Sequence, residues 1–179
     1  WLPYSYVTSG APGSVERGIL ETCESGALQE IALGSQDEYV LFNPNQQGFY
    51  RVNYPDEMWM RLTKGIESGD LSSVDASLLR DDAYTLVDAK DLGVSTLLDL
   101  SFAASRRKPR QGVQSDYQAW RGVSQTFNGV EGKLEESACH SDFKALVSKA
   151  VSAAISAYGI VPSLTQSNAM EISGSFQHR

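Results

Sequence analysis

Asn43-Pro44-Asn45-Gln46-Gln47-Gly48-Phe49-Tyr50-Arg51-Val52-Asn53-Tyr54 is the stretch whose reading decides the architecture. Asn43, Pro44 and Gly48 mark a turn, and Asn43 and Gly48 both tolerate left-handed backbone angles. Phe49 to Tyr54 is rich in aromatic and β-branched residues, the composition of a strand. Alternation puts Phe49, Arg51 and Asn53 on one face and Tyr50, Val52 and Tyr54 on the other. Pro55-Asp56-Glu57 then opens a helix, proline suiting the first helical position and the acids suiting the first turn. The run predicts a strand that hands over directly to a helix.

Upstream of this transition the pattern is that of strands. Trp1 to Thr8 is aromatic-rich and is broken by Ser9-Gly10-Ala11-Pro12-Gly13. Short runs follow at Gly18 to Cys23, Leu28 to Leu33 and Glu38 to Phe42, ahead of Phe49 to Tyr54. Strands at this spacing point to a sandwich or barrel rather than to βαβ units. Five strands starting abruptly make a partial antiparallel β-sandwich, over residues 1–54.

Downstream the period becomes helical. A helix over Pro55 to Glu67 puts Trp59, Leu62 and Ile66 on one stripe and stops at Ser68-Gly69. Ser72, with Asp75 three residues on, caps a helix reaching Ala89, with Leu79, Ala83, Leu86 and Val87 as its stripe and Gly93 at its exit. A third helix spans Ser95 to Ala104, and Arg106 to Gln114 reads as a basic, solvated loop. A helix over Asp116 to Phe127 leads into a polar loop holding Gly129 and Gly132. The last helix, after Ser141-Asp142, repeats Phe143, Leu146, Val147, Ala150, Val151, Ala154, Ile155 and Tyr158 at three- and four-residue steps. That stripe needs a partner helix, and residues 161–179, thick with Ser, Gln and Asn, offer no good one and read as a flexible or poorly packed tail. The fold class is α+β: a partial sandwich to residue 54, then an α-helical domain of antiparallel hairpins over 55–160.

Composition narrows the functions. The 179 residues suffice for one ordinary domain or two small ones, and 41% hydrophobic content supports a core. A net charge of −7 disfavours nucleic acid and anionic membrane as partners. No run approaches the 18 or so apolar residues of a membrane span. The chain opens at Trp1, so its start says little about targeting. Cys23 and Cys139 are too few for a disulfide scaffold and read as two free thiols. The absence of any Asn-x-Ser/Thr acceptor favours a compartment without N-glycosylation, such as the cytoplasm.

Few residues carry a chemical reading. Asp82 falls three after Leu79 and four before Leu86, on the apolar stripe of its own helix. A carboxylate there must be paired, because an isolated buried charge is very costly. It is either a catalytic acid or a structural acid tying the helix to the sandwich through Arg51 or strand-end amides, and the second is preferred. Arg51 is either a substrate-carboxylate anchor or half of an inter-domain ion pair, again with the second preferred. Cys139 and His140 are adjacent, but without further Cys or His they make a poor metal site, and His178 stands at the chain end. Trp59 and Trp120 lie on helix stripes and belong to core. No catalytic or cofactor-binding residue and no metal ligand is expected in this chain.

Several segments resemble, in order, the zinc aminopeptidases of the aminopeptidase N and puromycin-sensitive type. Trp1-Leu2-Pro3-Tyr4-Ser5-Tyr6 is similar to that family's Trp-x-x-Pro strand. The Asn43 to Tyr54 run is similar to the signature just past the catalytic domain, where a linking β-sandwich gives way to a helical domain. Leu71-Ser72 with Leu79-Arg80-Asp81-Asp82-Ala83-Tyr84-Thr85-Leu86 resembles the Leu-Ser…Leu-x-x-Asp-Ala-aromatic-x-Leu helix. Tyr117-Gln118-Ala119-Trp120 resembles an aromatic-x-x-Trp step, and Tyr158-Gly159 a Leu-Gly helix end. The chain departs from the pattern at Ala76, where arginine is usual, lacks the glutamate usual before the aromatic-x-x-Trp step, and carries Ser105 to Gln114 as an insertion.

The resemblance implies a non-catalytic C-terminal portion of an enzyme that removes N-terminal residues from peptides. The family's zinc motif, His-Glu-x-x-His with a downstream glutamate, and its Gly-x-Met-Glu-Asn amine-binding strand do not occur here. Zinc is thus expected in an upstream catalytic domain, which would be this segment's partner together with the peptide substrates. The alternative is a stand-alone interaction module without peptidase activity, recruiting a partner through an unpaired sheet edge and the 143–158 stripe.

Overall fold

The computed structural model describes residues 1–21, 30–35, 38–107 and 116–158, with the side chains of 116–119, 154 and 156–158 aside. Three strands come first: β1 (Leu2–Thr8), β2 (Glu16–Leu20) and β3 (Val40–Phe42). They form one antiparallel sheet in the order β2-β1-β3, with Tyr4 opposite Gly18 and Tyr6 opposite Phe42. The α+β class holds, but among the described residues there is a single sheet and no sandwich. Residues 30–33 form no strand, and Cys23, most of the 106–114 loop, the 161–179 tail and His178 lie outside the described residues.

Residues 49–54 are in no helix and pair with no strand among the described residues. Side chains take their backbone groups instead: Val52 N–H donates to Asp82 Oδ2, and Tyr50 C=O accepts from Asn43 Nδ2. The expected alternation survives, because Phe49, Arg51 and Asn53 are exposed while Tyr50 and Val52 are partly covered and Tyr54 is buried. Tyr50 and Tyr54 reach the sheet through their hydroxyls, which accept N–H bonds from Ser5 at 3.3 Å and Phe42 at 3.0 Å. The segment is a strap laid against the sheet rather than a member of it.

Five helices follow, α1 (Asp56–Ser68), α2 (Ser73–Asp88), α3 (Val94–Arg106), α4 (Asp116–Leu134) and α5 (His140–Tyr158). Pro55 sits at the N-cap of α1 rather than inside it, and its carbonyl accepts from Met58 and Trp59. Gly69 ends α1 at φ 86°, a left-handed cap that glycine adopts freely. Ser72 caps α2 as the spacing predicts, its hydroxyl accepting Asp75 N–H at 3.0 Å. Gly93 does not close α2. Lys90, at φ 67°, takes that place, with Lys90 N–H on Val87 O and Asp91 N–H on Leu86 O. That pair of bonds is a Schellman closure built without glycine.

α4 runs seven residues past Phe127, so Gly129 and Gly132 are helical and not in a loop. The reason is packing: Val130 and Leu134 continue the stripe of Val123 and Phe127 onto the second core cluster. α5 also finds its partners, α3 and α4, within the chain. Phe143 and Ala150 are buried there, with Val147 partly covered, whereas Leu146 stays exposed. The buried stripe is therefore narrower than the apolar pattern.

α3 is the common wall, packing on α1, α2, α4 and α5. Leu97, Leu100 and Ala103 face a first cluster that includes Val7, Leu41, Tyr54, Trp59, Leu62 and Ile66. Leu98 and Phe102 face the second. Small buried residues, Ser101 and Ser105, let the neighbours approach closely, and each hydroxyl is satisfied on its own helix, by Leu97 O and Phe102 O. The first cluster passes without a break from the sheet to α1, α2 and α3. Trp59 anchors it, fully buried and edge-on to Tyr54 at 4.9 Å.

Candidate functional site

The strap and the middle of α2 meet in a polar junction. Arg51 Nη1 lies 3.0 Å from both Asp81 Oδ2 and Asp82 Oδ1. The second Asp82 oxygen accepts the Val52 N–H at 3.2 Å. Arg51 and Asp81 are about half exposed, whereas the Asp82 side chain keeps only 15% of its surface. Of the two ion pairs, the one to Asp82 therefore contributes more, because exposed pairs are worth little. Burial holds the Asp82 carboxyl above the ordinary aspartate range, outweighing the Val52 and Arg51 hydrogen bonds. Asp81 bonding in turn raises Arg51.

Two further contacts extend the junction. Asn45 N–H donates to Asp75 Oδ1 at 2.9 Å, and Asn53 Nδ2 donates to Asp91 O at 3.3 Å. The turn before the strap is thus tied to the first turn of α2, and the strap to the loop that follows α2. The turn that launches it is strained: Asn43, Asn45 and Gln46 all have φ between 52° and 58°. Asn43 holds it by accepting the Gly48 N–H at 2.7 Å and donating to Gly48 O at 2.9 Å. Gly48 itself is not left-handed. It is glycine because a Cβ would come within 2.9 Å of the Tyr50 ring.

The structure therefore brings Arg51 and Asp82 together and adds Asp75 and Asp81, whose part was not read from the sequence. Asp75 had registered only as a capping residue. Asn43 and Gly48 marked the turn, but no local signal showed that its left-handed residues would aim Asn45 at Asp75. The remaining candidates lie elsewhere. His140 opens α5, 3.5 Å from Glu131, and Cys139 beside it is an exposed free thiol. Arg107 is not solvated: it is buried, donating from Nη2 to Leu71 O at 2.7 Å. Among the described residues no three of His, Cys, Asp and Glu are placed to hold a metal ion. No helix among them is long and apolar enough to cross a membrane.

Both Asp82 oxygens already hold donors, Arg51 Nη1 on one and the Val52 N–H on the other. The geometry of the junction is that of a latch, in which a half-buried carboxylate joins an extended strap to a helix.

Comparison with known proteins gives this latch a family. The sequence model of the ERAP1-like C-terminal domain matches residues 39–178. Aminopeptidase 2 of Candida albicans is 29% identical over 122 residues, which cover 68% of this chain and 12% of that protein. Endoplasmic reticulum aminopeptidase 1 of Homo sapiens is 32% identical over 103 residues, 56% of this chain and 10% of that one. Aminopeptidase M1-A of Oryza sativa subsp. japonica is 40% identical over 65 residues, 36% of this chain and 7% of that protein. The chain spans about a tenth of the length of these relatives. With the strap, the latch and five helices inside the matched region, the chain belongs to the ERAP1-like C-terminal domain family.

Proposed function

We propose that this chain is the non-catalytic C-terminal portion of a zinc-dependent aminopeptidase that removes N-terminal residues from peptides. In this reading residues 1–54 link, residues 55–160 begin a helical domain that covers the peptide cavity, and 161–179 form a tail. The single observation that carries it is the latch of Arg51, Val52 and Asp82, which fixes the direction in which the helices leave the strap. A connector held this rigidly sets the angle between a catalytic domain and a helical cover, and with it the opening of the cavity between them.

The described residues offer no donor set for zinc, so no hydrolytic step is assigned to them. The metal and its chemistry are placed in an upstream catalytic domain, which is also this segment's partner. The test is to join the upstream region to this chain and compare cleavage of short and long peptides with and without residues 55–179. Loss of the helical part changes the length preference if it covers the cavity. An unchanged preference rules that role out.

A further inference from the structure

A groove of about 330 Å³ opens between the 43–47 turn, α2 and α4, lined by Gln46, Ser77, Arg80, Asp81, Arg121 and Gln125. It is distinct from the latch, although Asp81 borders both. Its floor is Gly122: a Cβ there would fall on Nη2, Cζ and Nε of Arg80, so the guanidinium rests on bare backbone. Arg80 Nη1 reaches Thr126 Oγ1 at 3.4 Å, and its buried Nε has no partner among the described residues. Arg121 lies exposed at the mouth and enters none of the ion pairs found among the described residues.

The lining has a surplus of donors. Two guanidiniums and two carboxamides face one carboxylate, Asp81, and Asp81 is already engaged by Arg51 at 3.0 Å. In a chain of net charge −7 this is a local reversal of sign. Guanidinium forks match carboxylate and phosphate oxygens in pairs, with better geometry than lysine provides. Gln46, at φ 52°, is held in a strained conformation at the rim, as ligand clamps often are. The volume falls at the small end of ligand sites, enough for an acid group with a few attached atoms.

We propose that this groove binds the oxyanion of a small acidic ligand, a carboxylate or a phosphate, between Arg80 and Arg121. The site needs no catalytic domain and does not rest on the aminopeptidase reading.

The test is an NMR titration of the whole 179-residue chain with inorganic phosphate and, separately, with succinate, at ionic strength held constant with sodium chloride. Saturable shifts are expected at the Arg80 and Arg121 Nε–Hε groups and at the Gly122 and Gln125 amides. Saturation by phosphate alone assigns a phosphate site, by succinate alone a carboxylate site, and by both a site for either oxyanion. Arg121→Gln, at an exposed position that leaves folding intact, should weaken binding by at least about tenfold. Gly122→Ala, which displaces the Arg80 guanidinium, should weaken it independently. Shifts that fail to saturate, that chloride reproduces, or that persist unchanged in Arg121→Gln overturn the proposal.

Discussion

Asp82 accepts the backbone N–H of Val52 at 3.2 Å with one oxygen and the Arg51 guanidinium at 3.0 Å with the other. One carboxylate thereby takes a backbone N–H of residues 49–54, which have no strand partner among the described residues. Asp82→Ala leaves the partly buried Val52 N–H without its acceptor and Arg51 with Asp81 alone, and should cost about 1–3 kcal/mol. Asp82→Asn, which can still accept from Val52, should cost less. Chemical denaturation of both variants checks this, and an Asp82→Ala protein as stable as wild type would show that the latch bears no load.

Lys90 is exposed and left-handed, and its N–H closes α2 on Val87 O. A side chain at such an angle costs about 1 kcal/mol relative to glycine. Lys90→Gly is therefore expected to raise the melting temperature, whereas Lys90→Val should lower it. Thermal unfolding of the two variants reads the sign directly.

Glu38 organises the loops at the end of the sheet, accepting N–H bonds from Gly10 at 2.8 Å and from Gly34. The Thr8 hydroxyl bond, then the Gly34 and Gly10 amides, hold its carboxyl below the ordinary 4.5. The unfolded chain thus binds this proton more tightly than the folded one. The stabilisation is present above pH 4.5 and is lost as pH falls through that value toward the folded pKa. Glu38→Gln should flatten the acid side of the stability profile, measured by urea unfolding between about pH 3 and 6.

Three helical glycines should respond with opposite signs. Alanine is the better helix former by about 1 kcal/mol, and around Gly129 and Gly132 there is open space. Their alanine variants should gain stability. At Gly65 a Cβ would come within 2.8 Å of the buried Tyr39 ring, so Gly65→Ala should lose it. Equal melting shifts at all three sites would contradict this assignment of space.

How much of this was legible depended on whether a signal was local. Ser72 and Asp75 placed the start of α2 to the residue, and the spacing of Trp59, Leu62 and Ile66 identified a buried face. The alternation from Phe49 to Tyr54 correctly sorted exposed from covered side chains. It could not tell a strand from a strap, because period two reports an extended backbone and not what its N–H groups bond to. Arg51 and Asp82 were legible one at a time, Asp82 through its place on an apolar stripe. Asp75 and Arg80 were not, since their roles depend on a left-handed turn and on a glycine a helix away. Gly129 and Gly132 misled because glycine is a weaker signal than Val130 and Leu134 finding a core.

The outward N–H groups of β3 are already spoken for: Phe42 by the Tyr54 hydroxyl and Val40 by the Met58 sulfur at 3.3 Å, with Arg61 holding Glu38 O beside them. No further chain can dock there without first tearing out the beginning of α1. Fibrillar stacking requires an acceptor row on both flanks of every sheet, so a molecule sealed along one flank ends any such ladder instead of extending it.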